Sequence, residues 1–214
     1  MKKFCLGIIV GLLVLLLSAA CSSSPASYTL TGVLPDSTAN GKTIYIVRQD
    51  DWKYVDTAII QGDKFLFEGE VEEPTFCRVT VKSGLTACLI LEKGHIVLDF
   101  TQSKYPSGTS NNDELARVCR MEDSQMKEFT KGMRQAIKER KRVKAYKEEY
   151  TQKLKNQAKE LFKQHRNDWV GYYLLHSSYM NILDKEERKE VLESLGTSLQ
   201  QTSRVQYLQK QLNK

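Results

Sequence analysis

The side chains most able to do chemistry in this sequence are its five cysteines. A thiol reacts or binds metal as its thiolate, and a Cys-x-x-Cys pair is the usual arrangement in redox and zinc sites. No two cysteines have that spacing here, and the three histidines lack a metal-ligand spacing such as His-x-x-x-His. We therefore predict no metal, no cofactor and no catalytic residue, and we expect that the protein is not an enzyme. The residues concerned are Cys5, Cys21, Cys77, Cys88 and Cys119, with His95, His165 and His176.

Cys21 differs from the other cysteines because of the residues before it. Lys2 and Lys3 precede an apolar run at 4–17, and the small residues Ser18-Ala19-Ala20 follow that run. This order is typical of an export signal. At about 1.5 Å per residue the run reaches only about 21 Å, which is short of the roughly 30 Å hydrocarbon core. The pattern therefore predicts a signal that is cleaved.

The segment Leu17-Ser18-Ala19-Ala20-Cys21 resembles a lipobox, which implies that Cys21 becomes an acylated mature N-terminus. Two acyl chains are enough for stable attachment, so the resemblance implies a lipid-anchored protein on the outer membrane, facing the periplasm. One position departs from the lipobox pattern, because Ser18 stands three places before the cysteine, where a branched aliphatic residue is usual. Cleavage by an ordinary signal peptidase would also suit Ser18-x-Ala20 and would leave a soluble protein.

The charge divides the chain into two regions. Residues 22–105 hold 8 basic and 11 acidic side chains, whereas residues 106–214 hold 22 and 15. This change of sign indicates two regions of different chemistry. We predict a lipoprotein signal peptide at 1–20, a flexible tether at 21–27, a β-sandwich domain at 28–105 and a helical region at 106–214.

The first region alternates apolar and polar residues in short runs separated by turn residues. Phe65 and Phe67 alternate with Lys64, Leu66 and Glu68, which predicts one strongly apolar face on that strand. Seven such runs in about 75 residues predict an antiparallel β-sandwich or a partly closed barrel. The predicted strands are 28–34, 43–49, 53–61, 64–70, 75–82, 85–91 and 95–101.

After Pro106 the apolar spacing changes to three or four residues, which is typical of helices. Asn111 or Asn112 is expected to cap the first helix. Residues 113–165 contain no proline and are predicted to form one long helix, or two with a kink near Gly132. Three shorter helices are expected, so the fold class is α+β. They span 169–181, 185–195 and 203–213. A capping box of Asp184 and Glu187 opens the second of them.

Glycines and aromatic residues recur at particular places in both regions: Asp56-Thr57, Gly62, Phe65-x-Phe67-x-Gly69, Pro74, Leu91-Glu92-x-Gly94-x-Ile96, Phe162 and 169–175. Together they resemble the uncharacterised all-β domain at the N-terminus of many Gram-negative envelope lipoproteins. In that family a helical segment and a thioredoxin-like domain of the TlpA or AhpC/TSA type follow. The resemblance covers residues 28–214 and implies a fold but no site. The family's thioredoxin part needs about 100 more residues, so we expect only its accessory part here.

Cys77 and Cys88 lie on two strands predicted to form a hairpin. Matching apolar faces pairs Cys77 with Leu91 and Thr80 with Cys88, which places the two sulfurs on opposite sides of the sheet. Sulfurs so placed cannot bond, so free thiols are predicted.

The densest charge lies between Arg134 and Lys147, where seven lysines and arginines accompany one acidic residue, Glu139. For an exported chain the available polyanions are lipid headgroups, lipopolysaccharide phosphates and acidic glycans, and nucleic acid is not an expected partner. A solvated helix surface explains the same charges. The candidate anion-binding residues are Arg134, Lys138, Lys141 and Arg142.

Two weaker patterns leave alternatives open. The acidic pairs Asp50-Asp51 and Glu72-Glu73 fall in predicted turns and indicate solvated loops or a weak cation site. Four aromatic residues at helical spacing indicate either a groove or packing against the long helix. They are Trp169, Tyr172, Tyr173 and Tyr179.

Three functions from different classes fit the sequence. The first is an envelope lipoprotein that acts as a non-catalytic binding or scaffolding module, with an envelope protein as a possible partner. The second is an accessory subunit of a periplasmic thiol-disulfide system, and the third is an enzyme whose site the sequence does not reveal. Polyanion or lipid-headgroup binding through the basic helix is a further alternative to the first.

Overall fold

The computed structural model describes residues 27–81, 84–139 and 143–213. The signal peptide predicted at 1–20, the acylation site Cys21 and the tether up to residue 26 lie outside the described residues. Within these ranges the chain forms seven strands followed by seven helices, which confirms the predicted α+β class.

The strands form two sheets that enclose one apolar core. All seven predicted strands are present, each with ends shifted by at most two residues or so. They are β1 Ser27–Val33, β2 Thr43–Arg48, β3 Tyr54–Ile59, β4 Lys64–Glu70, β5 Thr75–Val81, β6 Thr86–Leu91 and β7 Gly94–Asp99. One sheet has the order β4-β1-β7 and the other has the order β3-β2-β5-β6. The predicted β-sandwich is confirmed.

One strand pair departs from the antiparallel arrangement. β1 runs parallel to β7, while the other named pairs are antiparallel. The link between β6 and β7 crosses from one sheet to the other and delivers Gly94 opposite Tyr28. Because β1 and β7 both start at this end of the sandwich, they run in the same direction.

The β5–β6 pairing corrects the predicted register by two residues. Cys77 lies opposite Leu89, and Arg78 lies opposite Cys88. A shift of two keeps every side chain on its own face, since side chains alternate along a strand. The two sulfurs therefore still point to opposite faces, and the predicted free thiols are confirmed.

Two apolar cores share one sheet. Phe65 and Phe67 point into the sandwich core, as predicted, with ring centroids 5.9 Å apart. Val79 contributes to the same core from β5. The neighbouring residues on the opposite face, including Phe76 and Ile90, belong instead to a second core beneath the helices.

The helical region begins with a long hairpin, so the prediction of two helices holds rather than that of one. The first helix ends at Lys138 and the second begins at Val143, so the predicted kink near Gly132 is wrong. Gly132 lies inside the first helix, where a Cβ would overlap the Tyr146 side chain. Two short helices take the place of the single helix predicted at 169–181. The structure also has a four-residue helix, Thr197–Gln200, that was not predicted from the sequence. The capping box of Asp184 and Glu187 is confirmed. The helices are α1 Ser110–Lys138, α2 Val143–Gln164, α3 Trp169–Leu174, α4 Ser178–Ile182, α5 Lys185–Ser194, α6 Thr197–Gln200 and α7 Ser203–Leu212.

The start of α1 is fixed to the edge of the sheet. Thr109, rather than Asn111 or Asn112, is the N-cap residue. The buried side chain of Asn112 instead donates to Ile90 O at 2.7 Å and accepts from Ile90 N at 2.9 Å. It thus satisfies backbone groups of the edge strand β6, which would otherwise be buried without partners.

Candidate binding surfaces

The thiols are embedded in apolar surroundings. Burial raises the pKa of Cys77 and of Cys119 to about 12, and it also raises the pKa of Cys88. Since the thiolate is the reactive form, these groups are largely unreactive at neutral pH. Their environment is that of small core side chains.

His165 is buried where the first three helices meet. Its Nδ1 lies 3.0 Å from Asp168 Oδ2, and its Nε2 lies 3.1 Å from Glu114 Oε1. Asp168 also caps α3 by accepting hydrogen bonds from Val170 N and Gly171 N. Burial raises the pKa of Asp168, but His165 and these amides outweigh burial and leave the pKa below its usual value. The cluster connects three helices and has the character of a structural contact.

The acidic pair Asp50-Asp51 is used within the protein. Asp50 Oδ1 accepts hydrogen bonds from Tyr172 Oη at 3.0 Å and from Ser203 N at 2.9 Å, which joins the β2–β3 turn to α3 and α7. Asp51 pairs with Arg48 at 2.8 Å, and hydrogen bonds from Arg48 lower the pKa of Asp51 to about 2. Both carboxylates are thus engaged by groups of the protein itself.

Three of the four aromatic residues of α3 and α4 pack inside the helical region. The fourth, Trp169, also lines a pocket together with both acidic pairs, Asp50-Asp51 and Glu72-Glu73. Tyr172 and Tyr179 are buried, and the Tyr172 ring centroid lies 5.5 Å from that of Phe76 on β5. The Tyr173 hydroxyl donates to Glu122 Oε2 at 2.5 Å. Trp169 lies 5.3 Å from Tyr172, centroid to centroid.

Exposed aromatic side chains lie on and next to the turn between β2 and β3. We call this surface, together with the arginine that contacts it, the aromatic turn: Trp52, Tyr54, Tyr45 and Arg78. Trp52 has a positive φ of 60° and is 61% exposed. The Arg78 guanidinium lies 5.4 Å from the centroid of its ring. Tyr54 is 70% exposed and contacts Tyr45 at a centroid distance of 5.2 Å. Two large aromatic side chains are thus exposed on one turn.

Two hydrogen-bond donors, one in the aromatic turn and one next to it, have no hydrogen-bond partner among the described residues. They are Gln49 Nε2 and Arg78 Nε, and both atoms are buried. Gln49 N bonds to Phe76 O, and Arg78 lies opposite Val47, so the two side chains share one face of adjacent strands. Buried donors normally find partners, so these two atoms are available to donate a hydrogen bond to a ligand or to water.

The outer face of α1 carries four cations, which we call the basic stripe: Lys127, Lys131, Arg134 and Lys138. All four are exposed, and none forms an ion pair with another described residue. The structure therefore places the predicted residues Arg134 and Lys138 side by side and adds two more. Lys141 and Arg142 lie outside the described residues, as does Cys21.

Lys127 and Lys131 were missed because only the densest run of charge, from residue 134, was considered. Together with Arg134 and Lys138 they follow the spacing i, i+4, i+7 and i+11, which the sequence already contains. Trp52 had no such signal, because its backbone angle depends on the turn that it occupies. Among the described residues there is no group of three or more His, Cys, Asp or Glu side chains placed to hold a metal ion.

The comparisons with known proteins identify the first region. Residues 28–115 match the family model of a domain of unknown function, DUF4369. The DUF4369 segment contains both sheets and the first turn and a half or so of α1, in agreement with the resemblance to an all-β domain of unknown function. No curated protein and no solved structure matches the chain. None of the described helices combines the length and apolarity needed to cross a membrane.

Proposed function

We propose that this protein is an envelope lipoprotein, anchored through acylated Cys21 to the outer membrane and facing the periplasm. Its DUF4369 domain and helices act as a non-catalytic binding module, and the aromatic turn is the ligand-contacting surface. The sequence around Cys21 supports the anchor. The observation that supports the binding role is the exposed, left-handed Trp52.

The energetics of Trp52 favour a contact function over a structural one. A left-handed backbone costs a non-glycine residue roughly 1–2 kcal/mol, and glycine avoids that cost. The exposed cation–π contact with Arg78 returns only about 0.5–1 kcal/mol. Strained residues of this kind cluster at functional sites, and Trp, Tyr and Arg dominate the energetics of protein interfaces. An envelope protein is therefore the partner class that we infer.

The binding role is tested with a photo-crosslinking residue at Tyr54 in the full-length protein in intact envelopes. We expect a defined adduct at this position and none at Tyr207, which is also an exposed aromatic residue. Trp52→Gly should remove the adduct without lowering the urea midpoint of unfolding. A stable Trp52→Gly protein that keeps the adduct, or a destabilised one, would assign Trp52 a structural role instead.

The anchor is tested separately by intact mass. The mature protein should carry a lipid increment that Cys21→Ala abolishes, and recovery of an unmodified Cys21 terminus from the soluble periplasm would contradict the proposal. The alternative of a thiol-disulfide accessory subunit gains no support from the buried thiols with raised pKa. Replacing Cys77, Cys88 and Cys119 should accordingly leave the Tyr54 adduct unchanged.

A further inference from the structure

The four cations of the basic stripe form one line along α1. At about 100° per residue, positions i, i+4, i+7 and i+11 fall within about 60° of one another around the helix. The side that faces α2 carries Phe129, whose ring centroid lies 5.3 Å from that of Tyr150, and Ala136, which is buried. That side is on the far side of the helix from the stripe. The stripe therefore points directly away from the rest of the molecule.

Lys127 is attracted electrostatically to Asp123, but among the described residues none of the four stripe cations forms an ion pair, whereas cations elsewhere in the helices do. Lys153 lies 3.2 Å from Glu128, and Lys155 lies 2.8 Å from Glu187. No comparable contact is made by the stripe residues within the described parts of the chain. An exposed line of cations is complementary to an extended anionic surface.

Apolar side chains border the stripe on one side. Met126 is 52% exposed and Ile137 is 62% exposed. Between them, the Thr130 hydroxyl donates to Met126 O at 2.8 Å, which satisfies the hydroxyl within the helix. A helix face with cations beside exposed apolar side chains suits the boundary between headgroups and acyl chains. A pocket on this face is lined by Met126, Lys127, Thr130, Lys131 and Arg134, so cations and an apolar side chain border the same depression.

The start of the fold lies beside the start of α1. Tyr28 on β1 pairs with Gly94, and a Cβ on Gly94 would lie 3.1 Å from the Thr109 side chain, at the N-cap of α1. Only five residues separate Cys21 from Ser27. The chain that would lead to an anchor at Cys21 therefore joins the described fold near the start of α1, and the stripe occupies the other end of that helix.

We propose that the basic stripe docks on the phosphates of an anionic lipid leaflet. The helix α1 then lies along the surface and provides a second attachment in addition to the acyl anchor. Of the two attachments, only the acyl anchor rests on the proposed function. Docking through the basic stripe requires no lipidated cysteine. Electrostatic attraction of this kind weakens as salt rises, because ions screen it.

The test uses the full-length acylated protein with Ile137→Trp, reconstituted in vesicles that contain brominated lipid. In vesicles of phosphatidylcholine with phosphatidylglycerol, we expect the added indole to be quenched beyond the background of Trp52 and Trp169. Quenching should fall severalfold in phosphatidylcholine alone, at high salt, or after the triple change K131E/R134E/K138E.

A matched control reverses three exposed lysines on other helices, K163E/K185E/K210E, with the same change in net charge. This control should keep the quenching. Equal quenching in neutral vesicles, equal loss in both triple variants, or tight binding of inorganic polyphosphate without lipid quenching would overturn the proposal. Failure of the anchor gives a different result: the lipid mass increment is missing, while salt-sensitive sedimentation with anionic vesicles persists.

Discussion

The two ends of the α1–α2 hairpin are built differently. At the root, Leu115 and Val118 of α1 and Phe162 of α2 are fully buried in the core beneath the sheet. In the outer half, the two helices pack against each other through the rings of Phe129 and Tyr146, whose centroids lie 6.2 Å apart. The root therefore carries the stability of the hairpin, and the outer surface is free to serve binding.

The largest expected difference between the two ends comes from truncating one apolar side chain in each. Leu115→Ala should lower the free energy of unfolding by about 2–5 kcal/mol, because it leaves a cavity in a packed core. Ile137→Ala should change it by no more than about 0.5 kcal/mol, because the side chain is exposed. Urea denaturation of both variants measures the contrast. Similar losses of unfolding free energy in the two variants would mean that the Ile137 side chain is buried in a packed contact.

The next effect comes from the helix cap at the root. Asp168→Ala removes the N-cap of α3 and a partner of His165, and should cost about 1–2 kcal/mol. Glu148→Ala, in the outer half, loses only an exposed ion pair with Lys144 at 3.8 Å and should cost less than about 0.5 kcal/mol. The same denaturation assay applies. A neutral Asp168→Ala would show that the His165 cluster adds nothing to the root.

Acid should weaken the root through its carboxylates. Hydrogen bonds from Arg117 lower the pKa of Glu114, and the pKa of Asp168 is also below its usual value. A carboxyl whose folded pKa is lowered contributes stability above its unfolded pKa of about 4, and that contribution is lost as the pH falls through the folded pKa. The urea midpoint should therefore decline below about pH 4, and less steeply in Asp168→Ala than in the unchanged protein. Parallel declines would exclude Asp168 as a source.

The smallest expected effect is on the stripe itself. Lys131→Ala should leave the free energy of unfolding within about 0.5 kcal/mol, because the side chain is exposed and unpaired among the described residues. Thermal unfolding measures this directly. A clear gain in stability would point to repulsion among the four cations, and a clear loss would reveal a structural contact.

The regular parts of the fold were predictable because their signals are local. Alternation at Phe65 and Phe67 identified an inward face, and Asp184 with Glu187 identified a helix start. The parallel pairing of β1 and β7 was not predictable, since it depends on which sheet the chain enters after Glu92. The role of Asn112 was missed for a related reason: its partner, the backbone of Ile90, lies 22 residues away.

The candidate surfaces divide in the same way. Half of the basic stripe was identified from charge density, and the rest follows from helical spacing once the limits of α1 are known. The aromatic turn depends on tertiary context, because only the turn geometry forces Trp52 into a left-handed conformation. The interpretation of Asp50 as solvated failed because its partner Ser203 is 153 residues distant.

The sheet that contains β5 and β6 is covered on both faces, with Val79 and Leu89 on one side and Phe76 and Ile90 on the other. We therefore expect that the change in composition near Pro106 is not a boundary of autonomous folding. A chain ending there would leave Phe76 and Ile90 in water and the edge of β6 without Asn112. Sandwich and helices should accordingly unfold together in one cooperative transition, so damage to either core is felt by the other.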